Sequence, residues 1–152
     1  MDEPIDIAEL ARQGVAVIVA TRDDELRPQL SRAWGPSLSD DGACLTVCVE
    51  AAPDSPMARN LASGSPVAAT LARLTSHTAV QLKGPAIEVA APTQARLDAV
   101  HEHIGHFIAE TAVVGVPETL ARALVGTDLM TVTIEIAERF DDTPGPDAGQ
   151  PL

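Results

Sequence analysis

Six short stretches of this chain carry strand-like apolar patterns, and most are joined by only a few turn residues. Val15 to Thr21 is a continuous apolar run rich in β-branched residues, which reads as a strand buried on both faces. Gln29 to Ser37 restarts the pattern after Pro28. It places Leu30, Arg32 and Trp34 on one face and Gln29, Ser31, Ala33 and Gly35 on the other. Asp40-Asp41-Gly42 is a hairpin turn, and Ala43 to Glu50 returns with Leu45, Val47 and Val49 aligned. Val67 to Arg73, Ala79 to Val89 and Leu129 to Ala137 complete the set. Pro85 puts its part of the fifth run at an edge or a bulge, because it has no N–H to give to a ladder. The last run alternates cleanly and turns Met130, Val132, Ile134 and Ile136 inward. Short links impose antiparallel pairing. The expected architecture is a small antiparallel barrel, mainly β, with helices on its periphery.

Four helices fit between the strands. Asp6 can cap the first, which runs to Gln13 before Gly14. Asp54 or Ser55 can cap the second, with Pro56 where a missing N–H costs nothing, and Gly64 ends it. Thr93 caps the third, which extends to about Glu110 with Leu97, Val100, Ile104, Phe107 and Ile108 as its apolar stripe. Pro117 to Val125 forms the fourth, stopped by Gly126. With 152 residues a single domain is expected, spanning residues 1–140. Residues 141–152 hold three Pro and two Gly and read as an extended tail.

Composition narrows the function. The chain is 45% apolar, yet Trp34, Phe107 and Phe140 are its only aromatic residues, so the core must be Val, Ala, Leu and Ile. The formal net charge is −12, which excludes a general nucleic-acid binder and disfavours an electrostatic membrane binder. Its cations are nine Arg and one Lys, Lys83, so any anion site must be a local focus of positive charge. No apolar run approaches the roughly 20 residues of a membrane span. The start, Met1-Asp2-Glu3-Pro4, has no signal-peptide core, so a cytoplasmic protein is expected. Cys44 and Cys48 share one strand face about 13 Å apart, too far for a disulfide, and read as reduced packing residues.

The usual catalytic and phosphate-binding motifs are absent. His101, His103 and His106 cluster on the third helix. His103 and His106, three apart, could both touch a metal, but the expected reading is a solvated face and no metal site. Glu102 and Glu110 read as helix-surface charges, and no carboxylate pair is placed for acid–base chemistry. No side chain is assigned as a catalytic residue. Cations in unusual places remain: Arg32 beside Trp34 in a strand, Arg59 in a short helix, and Lys83 before Gly84.

Those residues carry a resemblance. The stretches Val15 to Asp23, Arg27 to Trp34, Leu45 to Val47, Ala58 to Leu61, Val67 to Thr70 and Val80 to Gly84, in that order and spacing, resemble the pyridoxamine 5′-phosphate oxidase-like, FMN-binding split-barrel family. The similarity covers roughly residues 8 to 140. It implies a six-stranded antiparallel split β-barrel that forms a homodimer with two flavins in the grooves between subunits. By that resemblance Leu30, Ser31, Arg32, Ala33 and Trp34 run beside the isoalloxazine. Thr46, Val47 and Val49, with Ser55, Arg59 and Asn60, hold the phosphate. Gln81 and Lys83 line the interface. Met57 departs from the pattern, because family members commonly carry a phosphate-binding Lys there. Arg59 and Ser55 are expected to compensate, and Met57→Lys is expected to tighten FMN binding. The implied activity is FMN-dependent redox chemistry on a small molecule. A deazaflavin F420-dependent reductase, a flavin- or haem-binding module without turnover, and a cofactor-free dimer stay open.

Overall fold

The structure, a computed structural model, describes residues 4–152. Met1, Asp2 and Glu3, part of the start read above as having no signal-peptide core, lie outside them. The elements run α1 (Ile7–Arg12), β1 (Ala16–Arg22), β2 (Pro28–Leu38), β3 (Cys44–Glu50), α2 (Pro56–Ala62), β4 (Pro66–Ala72), β5 (Ala79–Ala90), α3 (Gln94–Val113), α4 (Glu118–Ala123), β6 (Leu129–Glu135), β7 (Glu138–Asp141) and β8 (Gln150–Pro151). Side-chain oxygens start three of the helices. Asp6 accepts from the Glu9 N–H at 3.0 Å, Ser55 from Ala58 at 3.2 Å and Thr93 from Arg96 at 3.2 Å.

Six antiparallel strands close in the order β1-β2-β3-β6-β5-β4, with β4 returning to β1. The twelve-residue β5 makes closure possible. It pairs with β4 through Ala79 to Pro85, then with β6 from Ala86 onward. The change of partner coincides with a register shift between Ala86 and Glu88. A second irregularity, between Trp34 and Ser37, bends β2. Two strands go beyond the expected six. The chain continues from β6 into β7, which pairs with Val80 to Lys83 of β5, and Gln150–Pro151 then pairs back onto β7. The last residues are exposed and held by backbone bonds, such as Leu152 N–H to the Arg139 carbonyl at 3.0 Å.

Period-two alternation fills the barrel. Val17 and Val19, Ala33, Leu45, Val47 and Val49, Val67, Ala69 and Leu71, Val80 and Leu82, and Val132 and Ile134 form one buried cluster. No aromatic ring enters it, which suits the narrow bore of six strands. Met57, Ala58 and Leu61 of α2 join the same cluster, as do Leu10 and Ala11 of α1. A second cluster lies outside the barrel wall. There Val100, Ile104 and Phe107 of α3 and Ala121 of α4 cover Trp34 and Cys48.

Two expectations need correction. The apolar run of β1 reads as buried on both faces, but its burial alternates, and Ala16, Ile18 and Ala20 are only half covered. Ala16 packs against the cluster that α3 builds around Trp34, while Ile18 and Ala20 farther along the strand stay half exposed. The histidine cluster reads as solvated, yet only His101 and His106 are exposed, while His103 is 5% exposed. Its position explains this. His103 falls three residues after Val100 and four before Phe107, inside the stripe that α3 turns to the barrel.

Candidate functional site

Strand register decides which side chains share the uncovered outer face. Arg32 of β2 is opposite Ile18, and Leu30 opposite Ala20. Across β1, Ile18 is opposite Thr70 and Ala20 opposite Ala68. Across β4, Thr70 meets Gln81 and Ala68 meets Lys83. Beyond β5, Gln81 faces Phe140 and Lys83 faces Glu138. Leu30, Arg32, Gln81 and Lys83 therefore belong to one band around the barrel, although 53 residues separate the first from the last. Ala20 and Ala68 leave one end of the band's middle low, and an apolar side chain at its rim, Leu30, is 68% exposed.

A groove of about 450 Å³ opens on this face. Ala20, Ala68 and Gly84 line it together with the charged residues Arg22, Lys83 and Glu138. Its volume falls in the range of small-molecule sites. The Lys83 ammonium lies 4.7 Å from the centre of the Phe140 ring, a cation–π contact that holds the chain's single Lys at the groove. Gln81 donates from Nε2 to Thr70 Oγ1 at 3.2 Å. Gly84 has a structural duty as well. A Cβ built there would lie 1.7 Å from the Glu135 carbonyl oxygen, so only Gly lets the β6–β7 crossing pass.

The other residues implied by the resemblance go elsewhere. Ala33, Val47 and Val49 point into the barrel core. Trp34 lies under α3, with its Nε1–H on the Glu50 carboxylate at 2.6 Å. Thr46 pairs with Thr133 at 3.2 Å on the β3–β6 side, and the Ser31 hydroxyl donates to the Glu50 carbonyl. Ser55 is spent on capping α2. Asn60 is buried and donates to Thr21 Oγ1 at 3.1 Å. Arg59 is exposed, and its guanidinium donates to the carbonyl of Asp54.

Met57 corrects an expectation. Its side chain is 5% exposed, packed in the barrel cluster with its sulfur 3.4 Å from Thr21 Oγ1. Position 57 faces the floor of the barrel, away from solvent. A Lys there would bury an ammonium beside two groups already bonded to each other. Met57→Lys is expected to cost roughly 3 kcal/mol of stability instead of adding a phosphate ligand. Urea denaturation of the two proteins measures this.

Sequence reading missed the placement of Arg22 and the bonding of Glu50. Arg22 continues the outward parity of Ile18 and Ala20, so alternation alone places it beside the groove. Glu50 gave no such signal. Its carboxylate joins Trp34 to the Gly126 N–H, 2.7 Å away and 76 residues on, a contact that exists only once the barrel closes.

Neither a protein-family model nor a curated protein matches the chain. Solved structures do. HupZ from Group A Streptococcus is 17% identical with a TM-score of 0.56, covering 97% of this chain and 100% of its own. A protein from Lactobacillus delbrueckii, named for pyridoxamine 5′-phosphate oxidase, is 19% identical with a TM-score of 0.54, over 92% and 95%. A structure named F420 reductase is 15% identical with a TM-score of 0.60, over 90% and 98%. At such identities the likeness is one of architecture: the chain has the split β-barrel fold of the pyridoxamine 5′-phosphate oxidase-like proteins.

Proposed function

We propose that this protein is a cytoplasmic, homodimeric flavin-binding oxidoreductase acting on a small molecule. One observation carries the reading: a largely apolar groove on the outer face of β1, β4 and β5, with Arg22, Lys83 and Glu138 in its lining. Ala20, Ala68 and Gly84 contribute little side-chain bulk to its lining, which suits a flat ring. Arg22 and Lys83 supply the local positive charge that an anionic cofactor needs in so acidic a chain. A second copy over the half-covered Ile18 and Ala20 and the exposed Leu30 would remove that apolar surface from water and close the groove.

FMN is the cofactor the residues fit best. Lys83 and Arg22 would hold its charged end or the polar edge of its ring, and Arg59 offers a second, exposed place for the phosphate. A bound flavin supplies reversible hydride and electron transfer. The chain's own task is to orient the ring, exclude water and balance charge.

Fluorescence titration with FMN tests the assignment. Lys83→Ala should weaken binding by about 1.5–3 kcal/mol, the value of a hydrogen bond to a charged group. Arg59→Ala should do the same if the phosphate rests beside α2, and nothing if it rests in the groove. If wild-type and both variants bind alike, the groove is not the flavin site. Preference for deazaflavin F420 over FMN would move the protein to the F420-dependent class.

A further inference from the structure

His103 joins three elements. Its Nδ1 accepts from the Gly35 N–H at 3.0 Å, and its Nε2–H donates to the Val15 carbonyl at 2.9 Å. One imidazole on α3 thus bonds the chain just before β1 and the bend in β2. Gly35 adopts φ +62° at that bend, and its carbonyl accepts from the Arg96 guanidinium, two turns earlier on α3. The Trp34 ring lies 5.7 Å from the imidazole. Gly14 presses directly on the α3 backbone, where an added Cβ would come within 2.2 Å of the His106 carbonyl oxygen.

This arrangement admits only the neutral ring. Protonation would put an N–H on Nδ1, pointing at the N–H of Gly35, and would bury a charge in an apolar seam. We propose that His103 is an acid-labile latch, whose protonation lifts α3 from the barrel and uncovers Trp34.

The neighbours give the cation no compensation. On α3, His106 adds a like charge when protonated, and Glu102 is exposed to solvent. From α1, Arg12 lines the cleft that His103 borders, and from β2 come only the Trp34 ring and backbone. Burial above all, with a contribution from His106, lowers the His103 pKa from 6.5 to about 4, although the bond to Val15 opposes the shift. The released state binds the extra proton. The latch therefore holds fully above pH 6.5, weakens as pH falls below it, and is spent near pH 4. Across that window the docking constant falls by up to roughly 300-fold. Farther along α3, Glu110 accepts from Thr75 at 2.7 Å and from Arg73 at 3.1 Å. Against the cost of burial, those bonds hold its carboxyl below the usual range, which makes this a second tether of α3, separate from the latch.

Trp34 is the only tryptophan, so its fluorescence reports this seam directly. From pH 8 to pH 4 its emission should shift to the red while far-UV circular dichroism holds. In His103→Gln, whose amide can both donate to Val15 and accept from Gly35 without titrating, the shift should be absent. The same transition in that variant, or no transition in the wild type, overturns the latch. Amide exchange on the wild type gives a second readout that needs no variant. Protection should fall in α3 before it falls in β1 and β3, and simultaneous loss would mean global acid unfolding and reject the proposal.

Discussion

Trp34→Ala is expected to lower stability by about 3–5 kcal/mol, the range for truncating a large buried aromatic residue. Trp34 is 2% exposed and meets the Phe107 ring edge-on at 5.3 Å and 85°. Removing it opens a cavity between the wall and α3 that Val100 and Ile104 cannot fill without moving the helix. It also deprives the Glu50 carboxylate of one of its two donors, leaving Gly126 alone. Trp34→Phe separates the two effects. It keeps most of the ring and loses the N–H, so about 1–2 kcal/mol should go, within the cost of an unsatisfied polar group. Urea midpoints of the two variants give the split. The site assignment adds a condition. Because Trp34 is covered by α3 and the groove lies across β1 and β4, Trp34→Phe should leave FMN affinity unchanged.

Gly84→Ala should be more damaging still. The added methyl would occupy the position of the Glu135 carbonyl, and backbone cannot yield as a side-chain tip can. The Ala137 N–H bonds to the Lys83 carbonyl at 2.8 Å in the same crossing, so relief requires parting β5 from the chain between β6 and β7. A loss of about 4 kcal/mol or more is expected, a large share of the roughly 5–15 kcal/mol that holds a domain folded. Soluble yield and thermal melting measure it. A variant that melts within a few degrees of the wild type would show that the crossing is looser than it stands here. The result bears on function because Gly84 floors the groove and fixes its neighbour Lys83.

Much of the fold was legible because alternation is local. The inward sets Leu45-Val47-Val49 and Val132-Ile134 stand in the sequence at period two, and both form core. The caps were legible for the same reason, since Asp6, Ser55 and Thr93 act within three residues. What escaped depends on closure. Only the ring of six strands brings Lys83 and Gln81 around to Leu30 and Arg32, and only the register tells that Trp34 faces a helix rather than a groove. The resemblance speaks of strands and positions, whereas the face each side chain takes depends on the closed barrel. Met57 and Asn60 sit at positions implied to bind phosphate, yet both turn inward because α2 has to plug the barrel end. His103 was readable from its place in the α3 stripe, but its two backbone partners, 68 and 88 residues away, were not.

The central claim is that the uncovered barrel face holds a flavin between two copies of this chain. The direct measurement is gel filtration of the purified protein after incubation with FMN, with light scattering and visible absorption recorded on the eluting peak. The account predicts a yellow peak of dimer mass carrying one flavin per chain, with the flavin lost from Lys83→Ala. A colourless monomer, or a dimer that lets FMN pass to the salt volume, would contradict it.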